Sequence, residues 1–269
     1  MGPLLFSPSS VFWRVNRELA SGLAGPRAVL MQISHPLIAA GVADHSQFRN
    51  HRLSRLYRTS MAAAAITFGT RAFALSAVRR INGIHTRVHG NLREDVGRFA
   101  AGTRYDANDP ELKSWVLATI TDSSLKAYEM FVGPLSRDER AGYYQDSLTV
   151  AELFGIPERY IPSTYDDLGV YMTEMLSNGS IAIGTDARNI TKALFRGFPL
   201  GSLFRLGSAF GIGRLPVSLR HDLDLTWNAT EERWLERVAR ASRRARRFIP
   251  SALCSNPAAT LLEAFAWQR

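Results

Sequence analysis

Three polar residues near position 55 are spaced so that a helix would place them on one face. Arg55, Arg58 and Thr59 stand at i, i+3 and i+4, the spacing of neighbours on a helix surface. Two guanidinium groups beside a hydroxyl group could hold an anionic ligand through charge-assisted hydrogen bonds. The same spacing is also found where helices simply pack together, so these residues alone do not separate a binding site from packing.

A histidine further along the chain lies on the apolar face of a second predicted helix. Ala74, Val78, Ile81, His85 and Val88 follow each other at intervals of four, three, four and three residues, as one side of an α-helix does. Between the two sets of residues, a run of four alanines leaves almost no side-chain bulk. A cationic face, a flat gap and an inward histidine could frame a planar anionic cofactor, or they could be ordinary helix packing.

The elements that position these residues are predicted to be helices. The segment Ala28–Ala43 is apolar nearly all round, which is typical of a central, buried helix. Pro36 cannot donate a backbone hydrogen bond, so we expect a break or kink near Ser34. Further helix starts are indicated by capping residues, namely Ser9 or Ser10, Asp109 with Pro110, Ser136 with Glu139, Ser163 with Asp166, Thr185 and Thr230.

Strand patterns are almost absent from the sequence. No run of β-branched residues alternates with polar ones, and the segment Gly102–Ala107 is predicted to be a turn. The glycine-rich segment Gly197–Pro216 is predicted to be loops with a helical turn at Leu203–Leu206. A basic helix and a last helix, about Pro257–Trp267, are expected to pack on the rest within 230–269. The sequence therefore predicts an all-α fold, one domain over 1–269 with about eight to ten helices.

Composition and motifs exclude several classes of site. The chain has one cysteine, Cys254, so neither an intramolecular disulfide nor a cysteine-based zinc or iron–sulfur site can form. No phosphate-binding loop, His-Glu-x-x-His zinc motif or Gly-x-Ser-x-Gly nucleophile elbow is present, and no glutamate has a histidine three residues later, as a di-iron bundle requires. No secretion signal or membrane span is predicted, so we expect a cytoplasmic protein that at most contacts a membrane surface.

Three histidines stand in apolar or tightly turned surroundings, namely His35, His45 and His85. Each could be a core histidine that bonds a backbone carbonyl. A three-histidine metal site is possible, but the i, i+3 or i+4 spacing is lacking. A haem needs only one axial histidine and a pocket.

Positive charge is concentrated near the carboxyl terminus. The formal net charge is +9, and the segment Arg233–Arg247 holds seven arginines against one glutamate, Glu236. Such a helix could bind nucleic acid or an anionic membrane surface, which would make the chain a non-enzymatic binding protein. It could also be a solvated helix face, with acidic residues at its start and basic residues at its end.

Several segments resemble the bacterial DUF2236 family, which is grouped with the catalytic domain of rubber oxygenases (latex-clearing proteins) and the fungal MpaB oxygenases. They are GPRAVLMQISHPLIAAGVADHSQF, RLYRT, IHTRV and WVLATITDSSLKAYEMFVGPLS. The resemblance covers roughly residues 9–235. It implies an all-α protein that binds haem b and uses dioxygen to cleave double bonds of an apolar, isoprenoid-like substrate. No nucleic-acid partner is expected from it.

The resemblance also implies roles for individual residues. His85 matches the axial iron ligand, Arg55 would pair with a haem propionate, and Thr59 would donate a hydrogen bond to bound oxygen. Arg58 replaces a lysine that can reach the iron in some latex-clearing proteins; a guanidinium does not ligate because it stays protonated. Arg58 would leave the sixth position of the iron to water or dioxygen, or it would pair with a propionate. The catalytic base has no clear match, and Asp44 and His45 are nearest in type. A histidine found in many members is replaced by Leu117.

Overall fold

The computed structural model describes residues 3–45, 52–195, 202–257 and 259–260. These residues form twelve α-helices, three short 3₁₀ helices and one two-stranded sheet. The helices are α1 (Val11–Arg17), α2 (Ala24–Ile33), α3 (Pro36–His45), α4 (Arg52–Phe68), α5 (Arg71–His85), α6 (Pro110–Phe131), α7 (Arg137–Leu153), α8 (Tyr165–Ser177), α9 (Thr185–Phe195), α10 (Ser202–Gly213), α11 (Val217–Asp222) and α12 (Ala229–Ala245). The predicted all-α class is confirmed, with more helices than the eight to ten expected.

The predicted break in the apolar segment is confirmed and divides it into α2 and α3. Helix α2 ends at Ile33, and α3 begins at Pro36. Proline has no amide to continue the ladder, so the Gln32 carbonyl accepts the amide of His35 instead. Leu30 and Met31 are fully buried, and α2 lies against α6 and α10 in the centre of the fold.

Helices α4 and α5 form an antiparallel hairpin through a tight turn at Gly69 and Thr70. The Thr70 hydroxyl accepts the amide of Phe73 and caps α5. A Cβ at Gly69 would collide with the Ala65 carbonyl, so the turn requires glycine. The buried faces of the two helices meet in one apolar cluster, to which Ala64 and Val78 belong.

Two segments differ from the prediction. Residues predicted as a turn include strand β2 (Arg104–Asp106), which pairs antiparallel with β1 (His89–Asn91). Strands of three residues are too short to show an alternating pattern. The segment predicted as loops contains α10 over three turns. Its Gly207 and Gly211 lie against Pro26, so small residues that look like loop formers serve close helix packing.

The caps were predicted with differing accuracy. Asp109 caps α6, and the capping box of Ser136 and Glu139 opens α7, as predicted. Helix α8 begins one residue late, because Thr164 and not Ser163 forms its capping box. The predicted final helix lies largely outside the described residues. Within the described ranges, no helix is both long and apolar enough to cross a membrane.

Candidate functional site

Several of the predicted site residues lie at the end of the fold where α3 and α5 finish. A Cβ at Gly41 in α3 would lie 3.4 Å from Cγ1 of Val88, which follows α5, and 3.6 Å from the ring of Tyr105 in β2. Asp44 and His45 form the last turn of α3, and His85 is the last residue of α5. The structure thus brings two sequence-distant parts of the prediction to one region, around the small sheet.

Asp44 is held by two partners that the sequence did not reveal. The Tyr105 hydroxyl donates to Oδ2 of Asp44 at 2.5 Å, and Arg93 forms an ion pair with Oδ1. Burial and this carboxylate raise the pKa of Tyr105 above its usual value, so the tyrosine remains a donor. Asp44 therefore anchors the end of α3 to the sheet.

His45 contacts the backbone of β1 through one ring nitrogen. Its Nε2 lies 3.0 Å from the carbonyl oxygen of His89, and since a carbonyl only accepts, Nε2 carries the proton in this contact. In the tautomer with the proton on Nε2, the lone pair is on Nδ1. Side chains of both histidines are exposed.

His85 is half-buried and lacks the hydrogen bond that a core histidine makes. Its Nδ1 is fully buried, and no described residue donates to it or accepts from it. The Oδ1 of Asn82, one turn earlier, is in the same condition. Burial first, and then the nearby Lys113, lower the pKa of His85, while Asp106 opposes them. The imidazole is consequently neutral at neutral pH.

The helix hairpin places Arg55 of α4 at the same distance from the turn as His85 of α5. Arg55 lies fifteen residues before Thr70 and His85 lies fifteen residues after it. At 1.5 Å per residue both backbone positions are about 22 Å from the turn, on adjacent helices. The Arg55 side chain is outside the described part of the structure. Arg58 and Thr59 are exposed on α4.

The alanine run between these groups is divided between core and surface. Ala64 and Ala65 are buried, and Ala63 is exposed beside the turn that carries Arg58 and Thr59. Its inner half thus serves helix packing, while its outer half leaves an open, flat face. Packing thus accounts for Ala64 and Ala65, and the use of the outer residues as a cofactor face stays a prediction.

His35 is a core residue and does not join the other two histidines. Its side chain is 3% exposed, its Nδ1 accepts the amide of Leu37 at 3.3 Å, and its ring contacts that of Phe99. Burial, assisted by Arg98, lowers its pKa to about 4. The described residues contain no group of three histidine, cysteine or carboxylate side chains that could hold a metal ion, so the three-histidine alternative is not formed among them.

A cavity of about 680 Å³ lies in another part of the fold. Its wall includes Arg27 and Met31 of α2, Asp122 of α6 and apolar side chains of α8. Arg27 and Asp122 form a buried ion pair of 2.7 Å. None of the residues predicted for the site lines this cavity. Met31, from the apolar segment predicted to be a central, buried helix, contributes to this wall.

The chain is similar to known proteins along most of its length. The model of the family described as "ER-bound oxygenase mpaB/B'/Rubber oxygenase, catalytic domain" matches residues 13–244. Two uncharacterized proteins, one from Mycobacterium bovis and one from Mycobacterium tuberculosis, are each 24% identical over 229 residues, which is 82% of this chain and 87% of each relative. No solved structure matches.

Proposed function

Because the chain belongs to the ER-bound oxygenase mpaB/B'/rubber oxygenase catalytic-domain family, we propose that it is an oxygenase that binds haem b through His85. In general terms, the family implies dioxygen and an apolar substrate. The finer proposal is that the substrate is unsaturated and isoprenoid-like. The observation that carries the assignment of His85 is its buried, unsatisfied Nδ1.

The state of His85 fits the binding of a metal-centred cofactor. A buried polar atom without a partner costs about 1–3 kcal/mol, so such atoms call for an explanation. Ligation requires a neutral imidazole, and the lowered pKa of His85 provides one. Asn82 Oδ1, also unsatisfied, lies one turn away and could accept a hydrogen bond from the bound group or from the ring.

The residues of α4 would hold and orient the rest of the cofactor. Arg55, level with His85 on the neighbouring helix, would pair bidentately with a propionate. Arg58 does not ligate, so it would pair with a propionate or leave space for water or dioxygen. Thr59 would supply a hydroxyl donor for dioxygen. Haem supplies the redox chemistry that activates dioxygen when it is bound.

Proton transfer is proposed for the end of α3. Asp44 is engaged by Arg93 and Tyr105, and these contacts limit the movement of its side chain. His45 keeps a free lone pair on Nδ1 while Nε2 holds it to the backbone of β1. Of the two candidates, His45 is therefore the proposed proton acceptor, and Asp44 the residue that positions the helix end.

Titration of the purified protein with haemin tests the proposal. We expect the wild-type chain to form a Soret band and His85→Ala to lose it. His221→Ala is the matched control, because His221 is exposed, is paired with Asp222 and lies on α11. A wild-type protein that does not bind haemin, or a His85→Ala variant with an unchanged spectrum, would contradict the proposal.

A further inference from the structure

Five exposed arginines form a continuous stripe along α12 and just beyond it. They follow each other at intervals of four, three, four and three residues and are Arg233, Arg237, Arg240, Arg244 and Arg247. This spacing keeps them on one side of the helix. The opposite side is buried: Leu235 and Ala239 are in an apolar cluster that α12 shares with α6 and α10. The arginine stripe is therefore fixed to the body of the fold and faces outward.

The charges of the arginine stripe are not neutralised by the described part of the protein. None of its five guanidinium groups forms an ion pair with a described residue. The other arginines of the segment behave differently, since Arg246 pairs with Glu18 at 2.6 Å and Arg243 donates to the Met130 carbonyl. The chain thus uses two arginines for its own structure and leaves five for solvent or a partner.

Large apolar side chains are exposed where the arginine stripe ends. Phe248 is 86% exposed, Leu253 74% and Ile249 40%. Single exposed apolar residues are common, but three within six positions, next to a row of unpaired cations, form a localised patch. We call Phe248, Ile249 and Leu253 the apolar tip.

We propose that the arginine stripe and the apolar tip bind the surface of an anionic phospholipid bilayer. The guanidinium groups contact headgroup phosphates while α12 lies along the surface, and the apolar tip inserts among the headgroups and upper acyl chains. This combination favours a membrane over nucleic acid: a phosphate backbone would satisfy the arginines but offers no apolar layer for Leu253 and Ile249. Of the apolar tip, Phe248 could stack on a base, whereas Ile249 and Leu253 have no aromatic ring for stacking.

Membrane binding would place the domain where its substrate is dissolved. This consequence rests on the proposed oxygenase function, since an isoprenoid-like molecule is concentrated in lipid rather than water. The binding surface itself does not depend on haem or turnover. Vesicle binding therefore tests the surface without haem or substrate.

Co-sedimentation of the full chain with lipid vesicles tests the surface. We expect binding to vesicles of phosphatidylcholine with phosphatidylserine, little binding to phosphatidylcholine alone, and weaker binding as salt is added. An arginine near an anionic surface changes affinity about fivefold, so Arg240→Gln, Arg244→Gln and Arg247→Gln together should weaken binding about a hundredfold. A variant with Arg137→Gln, Arg159→Gln and Lys192→Gln loses the same charge from exposed sites elsewhere and should change it far less.

The apolar tip is tested separately from charge. Phe248→Ser with Leu253→Ser should weaken binding to the anionic vesicles by about tenfold or more, with most of the remaining binding abolished by salt. Duplex DNA provides the competing outcome. The proposal is overturned if the chain binds DNA and not the vesicles, if both charge variants lose binding equally, or if loss of the apolar tip has no effect on vesicle binding.

Discussion

His35 and His85 both stand at a helix end, yet their surroundings differ in one respect. His35 is enclosed by Phe99 and bonded to the amide of Leu37. His85 is also partly removed from water, but its buried Nδ1 has no partner among the described residues. Burial lowers the pKa of both rings, so burial and a shifted pKa do not separate them. The unsatisfied nitrogen does, and it is why His85 is the proposed ligand.

The largest expected effect is a difference in the free energy of unfolding between the His35→Ala and His85→Ala variants. His35→Ala leaves a void and an unpaired amide, so we expect it to lower the free energy of unfolding by about 4 kcal/mol. His85→Ala removes an atom that is already unsatisfied and should change it by less than about 1 kcal/mol, while abolishing haemin binding. Denaturant unfolding measures the free energy of unfolding of both variants. Equal destabilisation by the two substitutions would make His85 an ordinary core residue.

The pH dependence of stability tests the assignment of His35 as a buried core residue. Its folded-state pKa is about 4, below the unfolded value of 6.5, so the folded state resists protonation. Its contribution to stability is fully present above pH 6.5 and is lost as the pH falls towards 4, by about 3 kcal/mol. Unfolding free energies measured across this range should therefore decline in the wild-type chain. In His35→Gln this decline should be reduced, and an unchanged pH profile would contradict the assignment.

The surroundings of His35 were predicted more completely than those of His85. Local backbone chemistry sets the first, and tertiary packing sets the second. The break beside His35 follows from the missing amide of Pro36, which is a local property of the chain. The half-buried position of His85 followed from the apolar spacing on α5. Its neighbours Asp106 and Lys113 could not be predicted, since a three-residue strand and a helix start reach it only through tertiary packing.

The distinction between local and tertiary interactions also explains which predictions succeeded and which failed elsewhere in the chain. The caps Asp109 and Ser136 were found because capping is a local hydrogen bond. Helix α10 was missed because its glycines are poor helix formers in isolation, and packing against Pro26 compensates for this. Tyr105 gave no signal in the sequence, although it ties β2 to the end of α3.

A smaller effect tests whether Tyr105 holds the region of His85 in place. Tyr105→Phe removes a hydrogen bond to a carboxylate and should cost about 2 kcal/mol. Tyr144→Phe is the control, since the Tyr144 hydroxyl donates to the neutral Pro162 carbonyl, and it should cost about 1 kcal/mol. Haemin affinity should fall only in Tyr105→Phe. If both variants bind haemin as the wild type does, the sheet does not support the proposed site.

The smallest change concerns Arg58, where the chain departs from the latex-clearing proteins. Arg58 is exposed on α4, so Arg58→Lys should change stability by less than about 0.5 kcal/mol. Its expected effect is spectroscopic, because a lysine amine can ligate iron once deprotonated and a guanidinium cannot. The absorption bands of the haemin complex should shift in Arg58→Lys and stay unchanged in Arg137→Lys, an exposed control on α7. An unchanged spectrum in both would place Arg58 away from the iron, where pairing with a propionate is the role left to it.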